Sequence, residues 1–139
     1  MANLFLEIIT PSKFAFKGEV VSVTVPGTFG SFQILFNHAP IISSIEIGSI
    51  KIVKADKTIS YCATSGGTVE VVNNNIEILA DSVEFLENID LDRAKNALAR
   101  AKARLEEINR HEVDIIRAEA ALARAMNRIS LVDKHLITR

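Results

Sequence analysis

The segment IEILADSVEFLENIDLDRAKNALARA, residues 76–101, contains the change between two kinds of structure. It opens with IEIL, whose alternation of apolar and polar residues is typical of a half-buried β-strand. From Ala94 onward, apolar residues recur every three or four positions, which is typical of an amphipathic helix. Asp90 stands just before this helical stretch, where a carboxylate can cap the first turn. The segment therefore predicts that the chain passes from strand to helix near residue 86.

The composition of the chain divides at the same place. All six glycines, all three prolines and all eight aromatic residues lie at or before Phe85, and all eight arginines lie at or after Arg93. Residues 1–85 carry a net charge of −3, and residues 86–139 carry +2. We therefore expect two domains, 1–86 and 87–139. The whole chain has a net charge of only −1, which does not favour nucleic acid or an anionic lipid surface as a partner.

The first domain has the pattern of a β-structure. EVVSVTV (19–25) and IEIGSIKIV (45–53) alternate between apolar and polar residues. VEVV and IEIL flank the asparagines at 73–75, which suit the positive φ angles of a hairpin turn. Further turns are predicted at KADK (54–57), at Pro-Gly (26–27) and at Gly-Gly (66–67). Several short strands at this spacing predict an antiparallel sandwich or barrel.

The second domain has the pattern of two helices. Two sets of residues follow the spacing of one helical face: Ala94, Ala97, Leu98, Ala101, Leu105 and Ile108, then Ile115, Ala118, Leu122, Ala125, Ile129 and Val132. NRHEVD (109–114) between them has room for a short turn, which predicts an antiparallel hairpin. Alanines dominate both faces, and each alanine buries little apolar area. We therefore expect a hairpin that is held together weakly and that is suited to movement.

Arginines form a stripe on each predicted helix. At about 100° per residue, Arg93, Arg100 and Arg104 fall on one side of the first helix, and Arg117, Arg124 and Arg128 repeat the arrangement on the second. A solvated rim of charge explains any single arginine. Two matching stripes beside one seam also favour a bound anion or an acidic partner surface, because the guanidinium group binds carboxylate and phosphate in a bidentate manner.

The chain shows no arrangement of residues that is typical of an enzyme. It has no phosphate-binding loop of the G-x-x-x-x-G-K-[ST] type, and TSGGT (64–68) is better explained as a turn. The three histidines and the single cysteine lack metal-ligand spacing, and Cys62 is expected to be a buried small side chain. No apolar run approaches the length of a membrane span, and the N-terminus does not have the pattern of a secretory signal. We expect no catalytic residue, no metal site and no required cofactor.

The order of the motifs resembles one family over nearly the whole chain. ITPSKFAFKGEVVSVTVPGTFGSFQILFNHAP, SGGTVEVVNNNIEILADSVE, IDLDRAKNALARAKARL and ALARAMNRIS together resemble the epsilon subunit of bacterial F-type ATP synthases. The resemblance implies an α+β fold, in which an N-terminal antiparallel β-sandwich is followed by a C-terminal antiparallel helical hairpin.

The resemblance also implies a function and a set of partners. It implies a non-catalytic subunit of the central rotor stalk of a proton-translocating complex, peripheral to the cytoplasmic face of the bacterial membrane. The sandwich would bind the gamma subunit and the c-ring. The hairpin would extend toward an acidic segment of the beta subunits in the catalytic hexamer of alpha and beta subunits, and would inhibit ATP hydrolysis there.

The resemblance assigns roles to particular residues. Those that match the nucleotide-binding members of the family are Glu84, Asp90, Arg93, Arg124 and Arg128. ATP is then a regulatory ligand that holds the hairpin folded. Ser31, Phe32 and His38 belong to the loop that would face the c-ring, and Arg100, Arg104 and Arg117 would bind the acidic partner. Two departures concern the loop: Gln33 and Phe36 replace a glycine and a proline of the family pattern, and Ser31 stands where many members have an acid.

Two alternatives to this function remain open from the sequence. In the first, the chain is a purely structural rotor subunit whose hairpin stays folded and never inhibits. In the second, it is a small independent enzyme, which the missing catalytic arrangement disfavours. For Asp90 itself, helix capping and ligand binding are compatible roles.

Overall fold

The computed structural model describes residues 3–107 and 112–136, and these form two compact units, Met1–Phe85 and Leu86–Arg139. The first unit is a β-sandwich and the second is a pair of α-helices. The predicted fold class is confirmed.

The sandwich unit contains nine strands. They are β1 (Leu4–Ile9), β2 (Phe14–Gly27), β3 (Gly30–Ile34), β4 (Ile41–Ile45), β5 (Gly48–Lys54), β6 (Ile59–Thr64), β7 (Gly67–Val72), β8 (Asn75–Ala80) and β9 (Val83–Phe85). β2 is 14 residues long and connects the layers, because its first half pairs with β1 and its second half pairs with β3 and β5. Most of the strand pairs are antiparallel. The pair of β1 and β8 is parallel, which places the first strand beside the last long hairpin.

The inward-facing side chains of these strands form one core. Its sixteen members are Leu4, Leu6, Ile8, Val20, Val23, Val25, Ile34, Ile45, Ile50, Ile52, Cys62, Val69, Val71, Ile76, Ile78 and Ala80. All of them belong to the sandwich unit, so this unit carries its own hydrophobic stabilisation. Cys62 is fully buried among them, as the sequence predicts.

Some turns of the sandwich lie where the sequence predicts them, and others do not. The hairpin of β7 and β8 turns through Asn73 and Asn74, which have φ angles of 49° and 64°. The KADK turn is present, with the Lys57 amide donating to the Lys54 carbonyl at 2.9 Å. Beside it, the pKa of Asp56 is below its ordinary value because the hydroxyl and amide of Thr58 donate to its carboxylate.

The alternating stretch 45–53 is divided between two strands in the structure. β4 ends at Ile45 and β5 begins at Gly48, with a turn between them. The turn is fixed by Pro26, whose carbonyl accepts from the Glu46 amide at 2.7 Å. A Cβ atom on Gly48 would lie 2.7 Å from the Pro26 Cβ, so the close approach requires glycine. Pro26 and Gly27 are the last two residues of β2. The turn that the sequence predicts at these two residues is formed by the next two, Thr28 and Phe29.

The helical unit contains α1 (Leu91–Glu107) and α2 (Glu112–Leu136), preceded by a short 3-10 helix, Leu86–Asn88. The sequence leaves room for a short turn within 109–114, and α2 begins at Glu112, inside that range. Residues 108–111, including Ile108 of the predicted apolar face, lie outside the described residues. At about 1.5 Å per residue, α2 spans about 37 Å and α1 about 25 Å.

The contact between the two helices is made mainly of alanine. Among the described residues of this unit, the fully buried side chains are Ala94, Ala101, Ala118, Ala125 and Leu131. Alanine removes little apolar area from water, so this seam stabilises much less than a leucine seam of the same length. The helical unit therefore buries less large apolar side chain than the sandwich unit does.

Neither described helix is long and apolar enough to cross a membrane. Over the same described residues, no group of three or more histidine, cysteine, aspartate or glutamate side chains is placed to hold a metal ion.

Candidate functional site

Three glutamates form a row across the outer face of the sandwich. Glu70 on β7 pairs with Glu77 on β8, and Glu77 pairs with Glu7 on β1. Adjacent strands lie about 4.8 Å apart, so the three carboxylates stand next to one another. Like charges that are directly opposite on neighbouring strands repel, and Glu77 has a glutamate on each side. Glu7 is also opposite Lys17 on β2, whose charge is attractive.

Apolar side chains surround the acidic row. Ile42 on β4 pairs with Glu70 and is 75% exposed, and Leu79 and Val72 are also exposed on this face. A face that combines unfavourable charge repulsion with exposed apolar area is suited to a partner that brings positive charge and covers the apolar groups. The sequence predicts the outward direction of each glutamate but not the row, because the row depends on the strand register.

The residues predicted to face the c-ring, Ser31, Phe32 and His38, lie on strand β3 and in the loop after it. Ser31 is exposed on β3, and Phe32 is half-buried against the core. The ring of His38 lies 6.5 Å from that of Phe32, and its Nδ1 donates to the Ala39 carbonyl at 2.8 Å. Phe29, at the tip of the hairpin, is fully exposed and was missed by sequence reasoning.

Asp90 caps helix α1. Its Oδ1 accepts from the Arg93 amide at 3.1 Å, and its backbone carbonyl accepts from the Ala94 amide at 3.0 Å. The side-chain bond satisfies one of the donors that the first turn of a helix leaves unpaired, and the carbonyl bond is the first regular bond of the helix. The capping role that the sequence predicts for Asp90 is confirmed.

Replacing Asp90 by alanine is expected to destabilise the helical unit by about 1 kcal/mol, because the side-chain cap is lost. Circular dichroism during urea unfolding of the full chain, without nucleotide, measures this as a lower midpoint of the helical signal. Asp90→Asn is the matched control, since asparagine caps as well as aspartate. Equal losses in the two variants would contradict a capping role.

Arg100 and Arg104 border a groove along the helix seam. The groove has a volume of about 180 Å³, and its other lining residues are Ala97, Ala101, Ala118 and Ala121. Both arginines are exposed, and so is Arg117 on α2. A narrow apolar floor with guanidinium groups at its edge can accept an apolar side chain that is flanked by carboxylates.

The residues predicted to bind nucleotide are divided between the two units. Glu84 lies on β9, where it pairs with Ala63. The other four lie in the helical unit: Asp90, Arg93, Arg124 and Arg128. Arg93 is exposed, and Arg124 and Arg128 are half-buried one helical turn apart on α2.

Because the helices are antiparallel, arginines of α1 and α2 lie at similar heights along the common helix axis. Leu98 of α1 shares a groove with Met126 and Ile129 of α2. Arg124 and Arg128 lie within one helical turn of Met126 and Ile129 along α2. Arg93 is five residues from Leu98, which is about 7.5 Å along the axis of α1. An extended arginine side chain together with a chain of phosphates is long enough to cover this distance.

This shared groove is larger than the groove bordered by Arg100 and Arg104. It has a volume of about 510 Å³, and Ser130, Asp133 and Lys134 complete its lining. Met126 is 54% exposed within it. Methionine adapts its shape to different contacts, so this surface is suited to packing against another structure.

Comparison with known protein families gives two adjacent matches. Residues 3–86 match the family described as ATP synthase, Delta/Epsilon chain, beta-sandwich domain. Residues 87–133 match the family described as ATP synthase, Delta/Epsilon chain, long alpha-helix domain. The two matches together cover nearly the whole chain.

Individual relatives show the same similarity. The chain is 41% identical over 106 residues to an ATP synthase epsilon chain of Protochlamydia amoebophila (strain UWE25), covering 76% of this chain and 72% of the relative. It is 47% identical over 108 residues to one of Desulfitobacterium hafniense (strain DSM 10664 / DCB-2), covering 77% and 81%. Among solved structures, a chain of the Euglena gracilis mitochondrial ATP synthase (OSCP/F1/c-ring, rotational state 1) aligns with a TM-score of 0.81. That alignment covers 91% of this chain and 79% of the other at 21% identity, which establishes a shared fold.

Proposed function

Because the chain belongs to the family of ATP synthase epsilon chains, we propose that it couples the gamma subunit to the c-ring in a proton-translocating F-type complex. The chain is an epsilon-type subunit of the central stalk. Its proposed role is non-catalytic. The complex would hold it at the cytoplasmic face of the membrane as a peripheral component. The sandwich makes the rotor contacts, and the helical unit regulates ATP hydrolysis.

The acidic row is the observation that carries the rotor role. Glu77 lies between Glu7 and Glu70 on the neighbouring strands, where like charges repel, and exposed Ile42 and Leu79 border the row. A gamma surface with basic groups among apolar side chains would relieve the repulsion and remove the apolar area from water. The acidic row thus binds gamma at the expense of the stability of the free sandwich.

Replacing Glu77 by glutamine is expected to have opposite effects on stability and on binding. The free full chain should unfold at a higher urea concentration at low salt, because the central charge of the acidic row is gone. Binding to gamma should weaken by about fivefold to tenfold at low salt, because one attractive charge is lost. Both differences should shrink at high salt, since the charges are solvent-exposed.

Glu46→Gln is the matched control, because Glu46 is exposed on the same unit but lies in the turn between β4 and β5. It should change gamma binding little. Titration calorimetry with purified gamma measures the affinities. Unchanged gamma binding by Glu77→Gln would place the gamma contact elsewhere.

The proposed regulatory role belongs to the helical unit. Its alanine seam is weak enough to open, and Arg100, Arg104 and Arg117 are exposed for an acidic segment of the catalytic beta subunits. The groove at Met126 supports a second packing arrangement of these helices. ATP bound by the four proposed residues of the helical unit, Asp90, Arg93, Arg124 and Arg128, would stabilise the closed hairpin and limit inhibition when ATP is abundant.

A further inference from the structure

Two connections of the sandwich lie at the same end of its strands. They are the loop between β3 and β4, residues 35–40, and the turn between β7 and β8. Because β4 and β7 are antiparallel and Ile41 pairs with Val71, the loop that leads into β4 lies next to the turn that follows β7. The start of β1 is at this end too, since the Phe5 amide donates to the Asn74 carbonyl at 2.9 Å. Three separate parts of the chain therefore meet near Asn74.

Asn37 in the loop and Asn74 in the turn bind each other through two hydrogen bonds. The backbone amide of Asn37 donates to Asn74 Oδ1 at 2.6 Å, and Asn74 Nδ2 donates to Asn37 Oδ1 at 3.2 Å. The loop closes beside this pair, where the His38 amide donates to the Leu35 carbonyl at 3.1 Å. We call the pair of Asn37 and Asn74 the asparagine clamp. It connects parts of the chain that are 37 positions apart, so it is a tertiary contact and not a feature of either turn.

The backbone conformation alone does not explain asparagine at these positions. Asn37 and Asn74 have φ angles of 65° and 64°, which glycine adopts without steric cost. Asn73 and Asn74 both have positive φ, as in a type I′ turn, and glycine is the favoured residue at the second of these positions. The side chain of Asn74 therefore has a role beyond the turn, and its two bonds to Asn37 supply that role.

The asparagine clamp ends on the hairpin that carries two glutamates of the acidic row. Glu70 lies on β7, Glu77 lies on β8, and Asn74 is in the turn between these strands. We propose that the clamp joins the loop of residues 35–40 to this hairpin, so that a partner bound to the acidic row also orders the loop. The inference rests on the proposed function, in which gamma is that partner.

The modest strength of the clamp is suited to this transmission. Both hydrogen bonds are exposed, so water competes with each of them and the net gain from each is small. The clamp is therefore expected to open and close often in the free chain. A partner that holds β7 and β8 restricts the motions that open the clamp. The loop then becomes more ordered although the partner does not contact it.

Hydrogen exchange of backbone amides in the free full chain, followed by NMR, tests the clamp itself. In Asn74→Gly the turn keeps its conformation but both bonds are lost, so the Asn37 amide should exchange about tenfold faster. Asn73→Gly is the matched control, because it makes the same substitution in the same turn and leaves the clamp in place. It should not change exchange at Asn37. No acceleration in Asn74→Gly, or equal acceleration in the two variants, would overturn the clamp.

Saturation with purified gamma tests the transmission. Gamma should slow exchange at Asn37 severalfold in the unchanged chain, and it should not slow exchange there in Asn74→Gly. Titration calorimetry should give the same gamma affinity for both chains, because the acidic row is intact in each. Equal slowing in both chains would mean that gamma covers the loop directly, and it would overturn the transmission.

The outcomes separate this inference from the proposed function. If gamma binds the unchanged chain without slowing exchange at Asn37, the transmission is wrong and the gamma contact stands. If gamma does not bind the unchanged chain, the proposed function and the transmission are both wrong.

Discussion

Deleting residues 88–139 is expected to raise ATP hydrolysis by the assembled complex several-fold while leaving the truncated chain on the rotor. The deleted part contains every arginine of the chain, including Arg100, Arg104 and Arg117, which are proposed to reach the acidic partner. Without these groups the catalytic subunits lose the inhibitory contact. The measurement is the hydrolysis rate of the complex per mole, with subunit content determined on the same sample.

The remaining chain is expected to fold, because the sandwich does not depend on the helices for its core. All sixteen members of the core lie between Leu4 and Ala80, and β9, which ends at Phe85, is retained. The acidic row and the loop residues Ser31, Phe32 and His38 are also retained. Both proposed rotor contacts therefore survive the deletion, and a loss of the truncated chain from the complex would contradict their placement on the sandwich.

A locked hairpin is the matched control for the deletion. Ala101 and Ala118 are buried and line the same groove between the helices, so a cysteine pair at these two positions is the choice for a cross-link of α1 to α2. The native Cys62 is fully buried and should not compete. Oxidation should raise hydrolysis as the deletion does, and reduction should restore inhibition. If neither the deletion nor the lock changes hydrolysis, the regulatory role is wrong and the purely structural rotor subunit is the better description.

Features that depend on neighbouring residues could be predicted from the sequence. The asparagine turn before β8, the Asp90 cap and the alanine faces of both helices follow from local spacing, and the structure has all of them. Local chemistry is enough here because each feature is stabilised within a few turns of chain.

Features that depend on distant pairing could not be predicted. The acidic row requires that Glu7 meet Glu77 across a parallel strand pair separated by 70 positions, and no local pattern sets that register. The break between β4 and β5 depends on Pro26, which approaches Gly48 from another strand. The exposure of Phe29 follows from the position of the turn, which the sequence placed at Pro26 and Gly27.

Addition of ATP to the full chain is expected to stabilise the helical unit strongly. A ligand that binds only the closed form adds RT ln(1 + [L]/Kd), about 2.7 kcal/mol when its concentration is 100 times the Kd. The alanine seam supplies little stability of its own, so this contribution should dominate the unfolding midpoint of the helices. Arg124→Ala should abolish the ATP effect, because a phosphate ligand would lose one of the two half-buried guanidiniums on α2.

Titration calorimetry and helical unfolding with and without ATP measure this effect directly. Arg117→Ala is the matched control: it removes an arginine from the same helix but outside the proposed nucleotide set, so the full ATP response should remain. The two variants should separate further in the assembled complex, where Arg117→Ala weakens inhibition and Arg124→Ala removes its relief by ATP. Equal heats for the unchanged chain and Arg124→Ala, or no heat in either, would rule out the proposed ATP site. The exposed arginines would then serve the acidic partner alone, and control of the hairpin would depend on the weak seam without a ligand.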